Sequence, residues 1–445
     1  MKLIETIKNI WKIEDLRKRL TVTFLLVLVY RFGCYVVLPG ISPSELEAMR
    51  NFTNSGLMQL LDMFSGGAFS QASIFALGIM PYITASIVIQ LLGMVMPSFQ
   101  KMQREGESGR MKLNQYTRYL TVLILLVQAP AYLVNLQYQV NAAGGHASIS
   151  WPMMVFLSIV LTAGAMFIMW LGEKITDKGI GNGISMIILV GIIARFPGAI
   201  AQEFFSRLNT AQGGLVMFLV EIIILFAVTA GAVMLVQGTR KVPVQYAQRI
   251  VGNRQYGGAR QYIPLKVNAA NVMPIIFAQA LMFIPITLAG FGARANDAGF
   301  LGSISRTFGD MNGFWYNVVY FLMIVAFTYF YTAITVRPTQ MAEDMKKNSG
   351  FIPGIKPGKK TAEYLDSIMS RITLPGSIFL GIVAILPAFA RYFGVNQQFA
   401  QFFGGTSLLI TVGVVLDTLQ QIETHLMMHH YDGLMKSGKI KGRTR

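Results

Sequence analysis

The chain has 445 residues, of which 53% are hydrophobic and only 13% are charged. Because about a quarter of the residues in a soluble domain are charged, this composition excludes an ordinary soluble protein and predicts an all-α polytopic membrane protein. The formal charge is +17, and a single cysteine, Cys34, excludes an intrachain disulfide.

Ten apolar stretches recur along the chain, each long enough to cross about 30 Å of hydrocarbon as a helix. Residues 1–19 precede the first stretch and lack the small-residue cleavage site of a signal peptide. We expect them to be retained as an amphipathic segment at the membrane surface. The predicted spans are 20–38, 74–96, 119–136, 152–171, 184–200, 215–236, 268–289, 316–336, 372–389 and 402–422.

Most of the 38 lysines and arginines fall in alternate connections between these spans and at the two ends of the chain. By the positive-inside rule those segments are cytoplasmic, so both termini are predicted to lie inside. The other connections contain few basic residues and are assigned to the outside. Their arginines are Arg50, Arg195, Arg207, Arg294, Arg306 and Arg391.

The second span follows a piece rich in glycine and serine, and residues 62–96 read DMFSGGAFSQASIFALGIMPYITASIVIQLLGMVM. The first part is too polar to span a bilayer, and Gly78 and Pro81 interrupt the helical pattern. Irregular backbone at membrane depth is tolerated only inside protein or along an aqueous cavity. The pattern therefore predicts a re-entrant segment in a pore or transport path.

Amides and hydroxyls are the main polar groups within the spans. An amide there predicts an interhelical hydrogen bond of about 1 kcal/mol, which either holds helices together permanently or lets them part. Charged residues are nearly absent at the predicted midplane, which disfavours an ion-coupled secondary transporter. The polar residues are Thr84, Ser86, Gln90, Gln128, Asn268 and Gln279, and the charged ones are Arg31, Glu221, Asp417 and Glu423.

Two cytoplasmic segments, 237–267 and 337–371, are longer than a turn needs. The first has no acidic residue, and its alternating pattern predicts a protruding arm like a β-hairpin. A basic arm without acids is a candidate surface for a large RNA or an acidic protein. The alternative is that both loops only obey the positive-inside rule.

No arrangement of residues indicates catalysis or a metal site. The chain has four histidines, and His425 and His429 have no third ligand nearby in sequence. The string KGIGNGIS does not match the dinucleotide-binding pattern GxGxxG. We therefore expect neither an enzyme nor a bound cofactor.

Several long strings, in this order and spacing, make the chain resemble the SecY family of bacterial protein-conducting channels over nearly its full length. They are MFSGGAFSQASIFALGIMPYITASIVIQLL, REGESGRMKLNQYTRY, MWLGEKITDKGIGNGISMII, YIPLKVNAANVMPIIFA, FIPGIKPG and FFGGTSLLI. The resemblance implies a channel in the cytoplasmic membrane that conducts unfolded polypeptides and releases transmembrane segments sideways into lipid.

The resemblance implies ten helices in two pseudo-symmetric halves, 20–205 and 206–424, around an hourglass pore, followed by a basic tail at 425–445. It implies a plug at about 56–72 that includes Ser65, Gly66 and Gly67. The matching positions of the apolar pore ring are Ile79, Ile83, Ile184, Ile188, Ile276 and Ile410. Those of the lateral gate are Gln90, Gln128 and Asn268.

The resemblance also implies partners. These are the small membrane subunits SecE and SecG, the motor ATPase SecA, the ribosome, and signal sequences with their nascent chains. The two cytoplasmic arms would dock the ribosome or the motor, and the matching residues are Arg240, Lys241, Arg254 and Lys356. Lys356 stands where the family usually has arginine, so the bidentate geometry of a guanidinium is lost there. A scaffold without a pore is a further alternative, which the plug-like segment and the arms disfavour.

Overall fold

The structure is a computed structural model, and contacts between residues divide the chain into two compact units. Unit 1 contains Met1–Ala199 and Val414–Arg445, and unit 2 contains Ile200–Gly413. The predicted halves at 20–205 and 206–424 remain a prediction. The residues that the structure describes are 13–41, 62, 64–142, 150–209, 214–246, 249–251, 254–256, 260–279, 281–282 and 313–436.

Unit 1 is helical. Its helices are α1 (Glu14–Gly33), α2 (Met80–Val95), α3 (Pro97–Arg104), α4 (Glu107–Ala142), α5 (Trp151–Lys178) and the first part of α6 (Gly183–Asn209). A buried cluster joins the chain after α1 to α4 and α5, with Leu38, Phe69, Leu133 and Leu161 among its members. Phe69 belongs to the turns that precede α2, so these turns form part of the core.

Unit 2 contains the end of α6 and most of the remaining elements. They are α7 (Gly214–Gln237), β1 (Thr239–Tyr246), β2 (Arg249–Val251), β3 (Arg254–Tyr256), β4 (Arg260–Lys266), α8 (273–279), α9 (Phe314–Thr335), α10 (Pro338–Lys347), β5 (Gly350–Phe351), α11 (Lys359–Tyr392), α12 (Gln397–Ala400) and α13 (Gly405–Lys436). Helix α13 continues into unit 1 from Val414.

Within the described part of the chain, seven helices are long and apolar enough to cross a membrane, or eight if α2 and α3 form one bent span. Helix α7 shows why: Phe218, Glu221 and Ala232 are its buried residues, whereas large apolar side chains such as Phe226 are exposed. A helix that is apolar on all sides fits hydrocarbon. The prediction of a helical membrane protein is confirmed; the count of ten spans remains a prediction.

The second span differs from its prediction at its start. It was predicted as one helix from 74, but residues 74–79 form turns and the helix begins at Met80. Gly78 has φ +57°, a conformation that ends regular helix for most residues. Pro81 lies in the first helical turn, where its missing N–H costs no hydrogen bond. These two residues therefore start the helix instead of breaking it.

The two long segments predicted to be cytoplasmic, 237–267 and 337–371, are joined into a single strand body instead of two separate arms. Strand β1 pairs antiparallel with β4 over its length, as the alternating pattern predicted, and β5 from the second segment pairs with the end of β1. Val242, Leu265, Ile352 and Leu365 lie in one buried cluster. Because this contact joins residues about a hundred positions apart, it has no local signature in the sequence.

Candidate functional site

The turns before α2, here called the turn segment and defined as residue 62 with 64–79, lie almost entirely buried inside unit 1. This burial confirms the prediction that irregular backbone here would lie inside protein. Gly66 and Gly67 have φ of +66° and +95°, which glycine adopts without a steric penalty. Residues 56–61 and 63 of the predicted plug lie outside the described residues.

Hydrogen bonds from helix α1 and the chain that follows it hold the backbone of the turn segment. The Tyr30 hydroxyl donates to the Ser65 carbonyl at 3.1 Å, and Arg31 Nη1 donates to the Gly66 carbonyl at 2.9 Å. The Leu38 N–H donates to the Ala72 carbonyl at 2.9 Å. These bonds satisfy carbonyls that water cannot reach. They also explain the arginine within the first predicted span.

A buried ion pair fixes the beginning of the turn segment. Arg195 on α6 donates to Asp62 Oδ2, while Asp62 Oδ1 accepts the Ser70 N–H at 2.8 Å. Arg195 was predicted to be a charge of an outer loop, and this was wrong because α6 continues to Asn209. We call the group of Asp62, Ser70 and Arg195 the ionic latch. No sequence pattern indicated it, since its members are far apart in the chain.

The turn segment also packs closely against neighbouring helices. A Cβ added to Gly66 would lie 2.8 Å from the Gly191 Cα on α6, so only a glycine fits between these backbones. On the opposite side, Tyr132 of α4 donates to the Phe69 carbonyl at 3.1 Å, and its ring lies 4.9 Å from the Phe69 ring. The segment is therefore enclosed by α1, α4 and α6.

The predicted pore-ring residues fall in both units. In unit 1, Ile79 precedes α2 directly and Ile83 lies one turn later, with the Ile83 N–H donating to the Ile79 carbonyl at 3.1 Å. Both side chains are buried. Ile184 and Ile188 lie in the first two turns of α6, half-buried and buried respectively. In unit 2, α8 contains the half-buried Ile276 and α13 contains the buried Ile410.

The predicted gate amides form short-range hydrogen bonds. Gln90 Nε2 donates to Ser86 Oγ on its own helix at 3.3 Å, and Asn268 Nδ2 donates to the Asn271 carbonyl at 3.0 Å. Asn268 is buried, and its Oδ1 accepts no hydrogen bond from the described residues. Gln128 is half-buried on α4. Neither Gln90 nor Asn268 is thus held by a strong polar contact to another helix within the described part.

The predicted docking residues lie on the strands that follow α7 and on the turn before α11. Arg240 and Lys241 are exposed on β1, and Lys356 is exposed in the turn before α11. Its carbonyl accepts the Thr361 hydroxyl at 3.0 Å, which fixes the backbone but leaves the ammonium free to bind a partner. Arg254 lies in β3, and its side chain is outside the described residues.

The string KGIGNGIS is a tight helix connection inside unit 1 and not a nucleotide loop. The Ile180 and Gly181 N–H groups donate to Thr23 Oγ1 and Gln421 Oε1, and Asn182 Oδ1 accepts the Ser185 N–H at the start of α6. A Cβ on Gly183 would lie 1.9 Å from the Gly172 carbonyl oxygen. These backbone donors are already occupied, so they cannot bind phosphate.

Comparisons with known proteins agree with this fold. A family model described as SecY matches residues 73–419. Two curated relatives are both named Protein translocase subunit SecY. That of Streptomyces scabiei is 42% identical over 437 residues, covering 96% of this chain and 98% of the relative. That of Halalkalibacterium halodurans is 44% identical over 440 residues, covering 98% and 100%.

Two solved structures share the fold. One, described as showing how the plug domain of the SecY protein stabilises the closed state of a translocation channel, has a TM-score of 0.63 at 19% identity. The other is a canine ribosome–channel complex from the endoplasmic reticulum, with a TM-score of 0.59 at 20% identity. Each alignment covers 92% of both chains.

The ionic latch predicts how the turn segment loosens. Cys34, the chain's single cysteine, is buried, and its Sγ lies 3.9 Å from the Ser65 carbonyl oxygen. Breaking a buried pair costs about 3–5 kcal/mol, and since Arg195 is partly exposed we expect the lower part of that effect for Asp62→Asn. Labelling of Cys34 by a soluble maleimide should accelerate about tenfold or more. The exposed Asp177→Asn is the control, and unchanged labelling in Asp62→Asn would refute the latch.

Proposed function

The chain belongs to the SecY family of protein translocase subunits, and we propose that residues 62 and 64–72 of its turn segment are part of the plug of a protein-conducting channel. Membership of this family makes the chain a channel component and not an enzyme. The observation that carries the plug proposal is that a glycine-rich segment of irregular backbone is enclosed among membrane helices by breakable bonds. Permanent packing would have needed only a continuous helix at this place.

In the proposed mechanism, the plug fills the channel at rest and leaves when a polypeptide enters. Ser65, Gly66 and Gly67 have no large side chains, so displacing these three residues mainly breaks backbone hydrogen bonds, whereas Phe64 and Phe69 lose buried apolar contacts when the plug leaves. Each such bond contributes about 0.5–1.5 kcal/mol net, which a docked partner can offset. The ionic latch is the strongest single contact and sets the threshold for opening.

We further propose that the six isoleucines form the ring through which the chain passes. Branched apolar side chains offer no hydrogen bonds to hold an unfolded polypeptide, and an empty apolar constriction resists ions by dewetting. The gate proposal for Gln90, Gln128 and Asn268 is supported by the local bonds of Gln90 and Asn268. An apolar signal sequence then partitions between the gate helices into lipid by its own transfer free energy.

The proposed orientation has both termini in the cytoplasm, in the cytoplasmic membrane of a bacterium. The basic residues of the inner connections support it by the positive-inside rule, and exposed aromatic residues at the outer helix ends fit a membrane–water interface, where such side chains are enriched on both sides. The aromatic residues are Trp151, Phe205, Phe314, Trp315 and Tyr392. The basic strand body then faces the cytoplasm.

Partners follow from family membership and from the charged surface. The canine structure is a ribosome–channel complex, and we propose that Arg240, Lys241 and Arg254 of this chain bind the phosphates of ribosomal RNA. The motor ATPase SecA is the proposed partner for translocation after synthesis, and the small subunits SecE and SecG are the proposed membrane partners. Exposed apolar side chains on α7, such as Phe226 and Met234, offer a surface on which a small membrane subunit can pack.

An ion-coupled transporter is the second candidate, and the buried charges disfavour it. Arg195 pairs with Asp62, and the single guanidinium of Arg207 contacts both Glu203 and Glu221, so each of these acids contacts an arginine. A coupling site instead needs groups that are free to exchange an ion during each cycle.

Crosslinking distinguishes the channel from a transporter or scaffold. With an export substrate arrested midway, photoreactive residues at Ile79, Ile184 and Ile410 should crosslink to the mature part of the chain. Probes at Gln90 and Asn268 should crosslink to its signal sequence. A probe at Ile223, which is exposed on α7, is the matched control and should give only lipid adducts. A ring that gives no crosslinks would contradict the pore.

Charge reversal tests the docking surface. Lys356→Glu should lower the rate of post-translational export about tenfold or more, because juxtaposing like charges at an interface costs several kcal/mol. Lys356→Arg should be tolerated, since it keeps the charge. The control is Lys360→Glu, at an exposed lysine four residues later. Normal export by Lys356→Glu in a reconstituted vesicle assay would remove this residue from the docking surface.

A further inference from the structure

A buried charge cluster in unit 2 has no task in the mechanism above. Arg207 lies near the end of α6 and donates from Nε to Glu203 Oε1 at 2.9 Å. Its Nη2 donates to Glu221 Oε1 of α7 at 2.6 Å and to the Gly394 carbonyl at 3.0 Å. The side chains of Glu203 and Glu221 are 1% and 2% exposed. The cluster thus joins α6, α7 and the turn after α11.

The charges of this cluster do not balance. It contains two carboxyl groups and one guanidinium, so it would have a net charge of −1 with both acids ionised. The charged side chains that act on Glu221, among those the structure describes, are Arg207 and Glu203. The turn after α11 contributes only the Gly394 carbonyl and the Asn396 N–H. An uncompensated buried charge costs several kcal/mol, and buried groups usually become neutral instead.

The hydrogen bonds identify which oxygen is free. Glu203 Oε1 accepts from Arg207 and Glu203 Oε2 accepts the Asn396 N–H at 2.9 Å, so both of its oxygens have donors. Glu221 Oε2 is buried and accepts no hydrogen bond from the described residues. Aromatic rings line this region: the Phe218 ring lies 5.5 Å from that of Phe204 and 6.5 Å from that of Phe399.

We propose that Glu203 and Glu221 together bind one proton, held on Glu221 Oε2, and that the cluster is a proton-binding clamp. With the proton bound, the cluster is neutral and the three segments stay joined. When the proton leaves, the two carboxylates repel each other beside one arginine, and the clamp weakens. Because the folded state holds a proton that the unfolded state releases above about pH 4.3, stability falls as pH rises from there until the cluster itself loses the proton.

Infrared spectroscopy of the protein in nanodiscs tests this directly. Spectra of the wild type at neutral pH should contain the C=O band of a protonated carboxyl group that both Glu221→Gln and Glu203→Gln lack, since removing either acid balances the cluster. The exposed Glu107→Gln is the control and should keep the band. If the band is still present in Glu221→Gln or in Glu203→Gln, the two acids do not share a proton and the proposal is overturned.

Thermal unfolding supplies a second measurement that does not depend on assigning a band. The free energy of unfolding of the wild type should fall as pH rises from about 5 into the alkaline range, and Glu221→Gln should remove most of that fall. The stability of the control Glu107→Gln should depend on pH as that of the wild type does. If the stability of Glu221→Gln falls with pH as steeply as that of the wild type, the proposal is contradicted, even if the variant folds and exports normally.

Discussion

Backbone polar groups that leave regular helix inside a membrane protein must find partners within the protein, because hydrocarbon supplies none. In this chain that constraint falls on the turn segment before α2. Tyr30, Arg31 and Tyr132 donate to its carbonyls, and the Leu38 N–H donates to it as well. The helices α1, α4 and α6 are thereby joined around a piece that is not itself helical. The packing of these three helices is thus arranged around the turn segment.

The contacts around this segment are numerous but individually weak, with one exception. A neutral hydrogen bond contributes about 1 kcal/mol, whereas separating a buried ion pair costs several times as much. The pair of Arg195 and Asp62 is therefore the strongest single contact that holds the segment, and it joins the segment to α6. Unit 2 uses a buried arginine differently, since Arg207 joins three elements around two acids. In both cases the charge serves to hold backbone in place.

Composition and periodicity predicted the features that local physics decides. The helical membrane fold, the irregular piece before α2 and the paired strands at 239–266 were all evident from apolar length, glycine content and alternation. The start of α2 was placed too early, because Gly78 and Pro81 were interpreted as a break in a helix. Arg195 and Arg207 were assigned to outer connections, but α6 contains both, because it continues nine residues beyond the predicted end of the span at 200. The joining of the two arms depends on contacts between distant residues.

The most direct test of the account is to tether the turn segment in place. Ser65→Cys introduces a second thiol at the residue whose backbone carbonyl oxygen lies 3.9 Å from the Sγ of the native Cys34. Oxidation should join the two thiols and block export in reconstituted vesicles, and reduction should restore it. The same oxidation without the substitution should have no effect, because the chain then has one cysteine. Full export through the oxidised, crosslinked channel would show that the segment does not move, and the plug would have to be abandoned.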